Sequence, residues 1–185
     1  ETSGLPCSEP RLKNHIELFG LTPAYALDLD HLDRSYRDIQ SKVHPDRFAQ
    51  AGDAERRAAM QMTTQVNEAY RILKTPVQRA RYLLELHGVD AGFETHTAMP
   101  KEFLLEQMAL RERLQEASHG SDLDLISRDL AVARRDLETQ IQGKCDAKHD
   151  FVAARDLVRK LMFLERLAEE IDAAHERIEM QAPEA

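Results

Sequence analysis

The sequence predicts an all-α protein built in two parts. Apolar residues recur at the spacing of a helix through most of the chain. Only 7 Gly and 7 Pro interrupt its 185 residues, which are rich in Leu, Ala, Glu and Arg. The stretch Val89 to Met99 lacks clear periodicity and leads into Pro100, so it reads as a linker.

A short helix is expected from Asn14 to Phe19, ended by Gly20. The next begins near Asp30, with Asp33 in its first turn where a carboxylate suits the helix dipole. Its Leu32, Tyr36, Ile39 and Val43 form one apolar stripe. Pro45 stops it, because a residue before proline is pushed out of the helical region and the chain turns at His44. A loop from Asp46 to about Asp53 follows.

The third helix is expected over Ala54 to Lys74, with Ala58, Met62, Val66, Ala69, Tyr70 and Leu73 on one face. Thr75-Pro76-Val77-Gln78 reads as a new helix start, with a capping residue, proline at the first helical position and a capping-box Gln. Gly88 marks its end. Beyond the linker, helices near 101–118, 122–142 and 148–178 are separated by Gly120-Ser121 and by Gly143 to His149. Three long helices with short connections predict an antiparallel bundle.

His44-Pro45-Asp46 falls between two amphipathic helices. Measured from Leu32, Arg34 and Arg37 project at about 200° and 140° around the first of them, so they face solvent, with Lys42 beside them. A basic surface ending in a rigid polar turn suits docking on an acidic partner. This turn, with Asn67-Glu68-Ala69-Tyr70, Pro76, Arg79-Ala80 and Tyr82, resembles a J domain. The resemblance implies docking on a DnaK-type chaperone and stimulation of its ATP hydrolysis. By that resemblance His44, Pro45 and Asp46 form the stimulating turn, and Arg34, Arg37 and Lys42 steer the encounter.

In the helix from Lys101 to Ser118, Phe103, Leu110, Leu114 and Ala117 cluster within about 60° and suffice for a core stripe. Leu104, Leu105 and Met108 lie about 100–200° away from Phe103, with Glu112 on that side and Glu116 at its border. In the last helix Ala154, Leu157, Val158, Leu161, Leu164, Ala168 and Ile171 define the main stripe. Phe163 projects about 130° from its centre. Large apolar groups off the core face mark either a wider core or a partner site, and periodicity alone leaves both open.

Two segments narrow the resemblance. Tyr82-Leu83-Leu84-Glu85-Leu86-His87-Gly88 is more apolar and more sharply ended than the corresponding region of many J proteins, and is similar to HscB co-chaperones. Phe103-Leu104-Leu105-Glu106-Gln107-Met108, with Leu110-Arg111-Glu112, resembles the HscB client-binding helix. Val158-Arg159-Lys160-Leu161-Met162-Phe163-Leu164 resembles its closing helix. The implied client is IscU, the scaffold on which iron–sulfur clusters are built, and the implied partner is an HscA- or DnaK-type ATPase chaperone. Leu104, Leu105, Met108, Glu112, Glu116 and Phe163 match the implied client contact. Ala109 departs from the pattern, where an acidic side chain can occur. The resemblance spans about Asn14 to Ile178. It gives an N-terminal tail at 1–11, a J domain at 12–87, a linker at 88–97, a three-helix client-binding domain at 98–178 and a tail at 179–185.

Other functions find little support. A formal net charge of -8 and 5% aromatic residues without tryptophan disfavour nucleic-acid binding. The charge is uneven: residues 12–87 carry 11 Lys+Arg against 10 Asp+Glu, and residues 98–178 carry 13 against 17. No apolar run approaches the roughly 20 residues of a membrane span. No basic segment precedes an apolar run as in a secretion signal, so a cytoplasmic protein is expected. Cys7 and Cys145 lack metal-type spacing. A di-iron bundle needs two E-x-x-H elements, whereas only Glu116-Ala117-Ser118-His119 qualifies and Asp172-Ala173-Ala174-His175 is a looser relative. No P-loop, HExxH or GxSxG element is present. The expectation is a non-enzymatic adaptor without cofactor or metal; the alternative is a general J-protein adaptor for another client.

Overall fold

The computed structural model describes residues 14–48, 51–91 and 99–181. Among them every regular element is helical. In chain order these are α1 (His15–Leu18), α2 (Leu29–Val43), a 3-10 turn (Pro45–Phe48), α3 (Asp53–Lys74) and α4 (Pro76–Leu86). Then come α5 (Lys101–Glu116), α6 (Gly120–Gln142), a π-helical turn (Gly143–Ala147) and α7 (Phe151–Gln181). The chain divides into two compact units at Thr75/Pro76, with Ala24 to Ala26 counted in the second.

The first unit contains α1, α2, the 3-10 turn and α3. Asn14 starts α1 by accepting the Glu17 N–H at 2.8 Å, and Asp28 starts α2 by accepting the His31 N–H at 2.9 Å. Ile16, Leu32, Val66, Ala69 and Leu73 are fully buried and form its core. Polar side chains join α2 to α3 in antiparallel register. Asp33 receives Lys74 Nζ at 2.7 and 2.8 Å and the Tyr70 hydroxyl at 3.0 Å. One turn along, the Tyr36 ring stacks on Tyr70 at 4.1 Å and its hydroxyl donates to Asn67 Oδ1 at 3.0 Å.

One expected face is out of phase. Ala59 is buried on α3, whereas Ala58 and Met62 are exposed. Steps of four residues drift about 40° each around a helix of 3.6 residues per turn. Counting back from Val66 by fours therefore walks off the core side, while a step of seven stays on it. The loop expected after Asp46 begins with the 3-10 turn instead, and residues 49–50 lie outside the described ones.

The second unit is built around α7, on which α4, α5 and α6 pack. Arg134–Glu165 and His175–Asp124 pair α6 with α7 at 3.0 and 3.8 Å, in antiparallel register. Leu123, Ile126 and Ile141 of α6 and Val158, Leu161, Leu164, Leu167 and Ile171 of α7 are buried. Leu167 stands outside the expected stripe yet has no exposure.

Helix α4 ends as the glycine requires. Val89 N–H reaches the Leu84 carbonyl at 2.9 Å and Gly88 N–H reaches Glu85 at 3.0 Å, with Gly88 at φ +70. The π-helical turn buries Cys145 and aims the Asp146 carboxylate at the backbone N–H groups of Tyr25 and Ala26, at 2.6 and 3.0 Å. Tyr25 is buried, with the Arg79 guanidinium 5.0 Å from its ring centroid. Burial first, and Asp146 second, pushes the Cys145 thiol up to about 11, so it stays protonated at neutral pH.

Of the expected linker at 88–97, residues 92–97 lie outside the described ones, as do the N-terminal tail at 1–11 and residues 182–185. At the other end α7 continues to Gln181, beyond the expected start of the tail at 179.

Candidate chaperone and client sites

The first site begins where α2 must end. Its C-cap His44 has ψ 130, the extended value imposed by the proline that follows. Asp46 N–H donates to His44 Nδ1 at 3.3 Å. The Asp46 carboxylate lies 3.5 Å from the same nitrogen, and both side chains are exposed. Turn geometry, not burial, therefore holds this pair.

Arg34, Arg37 and Lys42 are all exposed on α2. Arg34 and Arg37 line one shallow depression with His31, Ser35 and Asp38. Arg37 Nε donates to the Asp33 carbonyl at 3.2 Å, which braces its stem along the helix. Lys42 Nζ lies 3.4 Å from Asp38, an exposed pair worth little and easily exchanged for a partner's carboxylate. Asp33, although on the same helix, is committed to Lys74. That hydrogen bond holds its carboxyl below the usual range and raises Lys74 above its own. The basic character of the outer face thus belongs to Arg34, Arg37 and Lys42. Sequence reading missed Lys74 as Asp33's partner, because the two are 41 residues apart.

The second site lies on α5. Phe103 is buried, and Leu110, Leu114 and Ala117 are half-buried, as the core stripe requires. Gln107 is also buried, although its side chain is polar and the stripe did not include it. It is one turn after Phe103, so its wheel position is a core position whatever its polarity. Leu104, Leu105 and Met108 are exposed, as are Glu112 and Glu116. Leu104, Met108, Glu112 and Glu116 follow at four-residue steps, so a ridge runs from apolar to acidic along the helix.

Phe163 is placed differently from a free anchor. It is half-buried, its ring edge-on to Phe103 at a centroid distance of 5.8 Å. The Arg111 guanidinium covers it at 4.9 Å and is itself held by Glu170 through contacts of 3.0 and 3.2 Å. Arg111 is three residues beyond Met108 and seven beyond Leu104, on the same side of α5. Phe163 therefore supports the margin of the exposed ridge. Arg111 and Glu170 were missed as its brace, since a contact between two helices leaves no mark in the periodicity of either.

The two histidines of the di-iron alternative stand at a helix start and beside a carboxylate. His119 precedes α6, where the Asp122 carboxylate accepts the N–H groups of His119 and Ser118 at 3.1 and 3.3 Å. His175 faces Asp124. Among the described residues no group of three His, Cys, Asp or Glu side chains is placed to hold a metal ion. None of the described helices is long and apolar enough to cross a membrane.

Comparison with known proteins gives these two surfaces a context. Residues 15–82 match the DnaJ domain, and residues 99–172 match the HSCB C-terminal oligomerisation domain. A DnaJ domain with a His-Pro-Asp turn whose His44 and Asp46 are exposed, followed by this second domain, defines a J-domain co-chaperone. The co-chaperone protein HscB homolog of Aromatoleum aromaticum is 45% identical over 165 residues, covering 88% of this chain and 93% of that protein. The homolog from Burkholderia thailandensis is 47% identical over 169 residues, covering 90% and 96%. The solved structure of chaperone HscB from Vibrio cholerae superposes with a TM-score of 0.79 at 34% identity, covering 90% of this chain and 99% of that one. The chain belongs to the HscB family of co-chaperones.

Proposed function

We propose that this chain binds an IscU-type iron–sulfur scaffold, delivers it to an HscA- or DnaK-type chaperone and stimulates that chaperone's ATP hydrolysis. Residues 12–87 would act as the J domain, 88–97 as the linker and 98–178 as the client-binding domain. The chain performs no chemistry of its own in this reading. It regulates a partner's ATPase, in the cytoplasm, and needs no cofactor.

The observation that carries the reading is the apolar-to-acidic ridge of Leu104, Leu105, Met108, Glu112 and Glu116, left exposed on a helix whose opposite face already supplies a core. Apolar groups displaced from the core favour a partner surface, and the carboxylates beside them favour one orientation of it. Phe163 would stiffen the margin of that contact. On the other unit, His44, Pro45 and Asp46 would engage the chaperone, with Arg34, Arg37 and Lys42 attracting it at longer range. Carrying both sites in one chain raises the effective concentration of client at the chaperone.

The test is steady-state ATP hydrolysis by the chaperone with this protein alone, with the scaffold alone and with both. Synergistic stimulation is expected, and His44→Gln should abolish it while scaffold binding survives. Stimulation to which the scaffold adds nothing would keep the J-domain role and assign the ridge to another client. Loss of scaffold binding in His44→Gln would refute the division of labour between the two sites.

A further inference from the structure

The end of α2 leaves a hydrogen-bond acceptor without its usual donor. In a continuing helix the Ser41 carbonyl would accept the N–H of residue 45. Residue 45 is proline and has none. Arg47 supplies the replacement, with Nη1 donating to the Ser41 carbonyl at 3.1 Å. Its backbone N–H meanwhile donates to the His44 carbonyl at 3.1 Å. One residue therefore grips the turn twice, before the proline through its side chain and after it through its main chain. From α3, the Thr63 hydroxyl lies 3.1 Å from the Val43 carbonyl and 2.8 Å from the Ala59 carbonyl of its own helix, so its one proton is shared between α2 and α3.

We propose that Arg47 is a positioning residue for the His44-Pro45-Asp46 turn: its guanidinium replaces the donor that Pro45 removes and fixes the geometry in which His44 and Asp46 meet the chaperone. Its effect on ATPase stimulation rests on the docking function proposed above; its grip on the turn in the free protein does not. A turn held only by exposed contacts samples other conformations, and any fraction outside the competent geometry weakens the apparent affinity for the chaperone in proportion. Arg47 suits this task because its planar fork loses little freedom for each hydrogen bond it makes.

The test uses the full chain with Arg47→Met, which keeps the stem but lacks charge and donor, and Arg47→Lys, which keeps both. Amide resonances and hydrogen exchange of Ser41 to Arg47 are recorded in the free protein. Stimulation of a DnaK-type chaperone is then measured across co-chaperone concentration. Arg47→Met should shift the His44 and Asp46 amides and accelerate exchange. It should also raise the co-chaperone concentration for half-maximal stimulation by about five-fold, the size of one ordinary hydrogen bond. Arg47→Lys should recover at least half of each effect. Unmoved amides beside a loss of stimulation would overturn the proposal and make Arg47 a direct chaperone contact. An unchanged half-maximal concentration would overturn it too. If the wild-type chain gives no stimulation, the docking function fails, and the amide data still decide whether Arg47 holds the turn.

Discussion

Replacing Leu104, Leu105 and Met108 together by alanine separates a client surface from a core. These side chains are 39%, 54% and 57% exposed. Fully burying a Leu or Met side chain is worth about 1.5–3 kcal/mol, so covering only the exposed fractions gives about 0.6–1.2 for Leu104 and about 0.8–1.7 for each of the others. Alanine keeps its Cβ, and neighbouring contacts are not additive, so a total of about 2–3 kcal/mol is expected. That corresponds to a loss of about 30- to 150-fold in scaffold affinity, read by calorimetric titration. The fold should barely respond, because surface changes away from special features cost about 0.5 kcal/mol or less. The control is Phe103→Ala on the buried side of the same helix, which should cost about 3–5 kcal/mol of stability. The reasoning is refuted if the triple variant melts as early as Phe103→Ala. It is also refuted if the triple variant stays folded and binds the scaffold as tightly as wild type.

Phe163→Ala should act on both quantities at once, since its ring rests on Phe103 and under Arg111. A lower melting temperature with a modest loss of affinity is expected; a loss of affinity alone would mark it as a free anchor. Asp33→Asn should destabilise the first unit in a pH-dependent way. Asp33's folded pKa lies below its unfolded one, so its contribution is present above about pH 4 and is lost as pH falls through the lowered folded value. The difference in melting temperature from wild type should therefore be constant near neutrality and shrink in acid. A difference that persists at pH 2 would show that packing, not charge, is responsible. Gly88→Ala meets no atom within 4 Å but inherits φ +70, and should cost about 1 kcal/mol in denaturant unfolding from backbone strain alone.

The sequence by itself determined whatever depends on near neighbours in the chain. Helix spacing, the glycine at the end of α4 and the proline after His44 act within a few residues, so the helices and the His44-Pro45-Asp46 turn were legible from the order of amino acids alone. The exposed face of α5 was legible as a displacement from its core stripe, though not as a surface. Tertiary structure decided what depends on residues far apart. Asp146 grips Tyr25 and Ala26 from about 120 positions away, and Lys74 takes Asp33 out of the outer face of α2. Gln107 became core because its position on the wheel outweighs its polarity. Phe163 became a brace because Phe103, Arg111 and Glu170 converge on it. The grouping of α4 with the later helices was also settled in three dimensions, although the DnaJ match runs through most of it. Periodicity reports which side of a helix prefers to leave water, and only packing reports what it leaves water for.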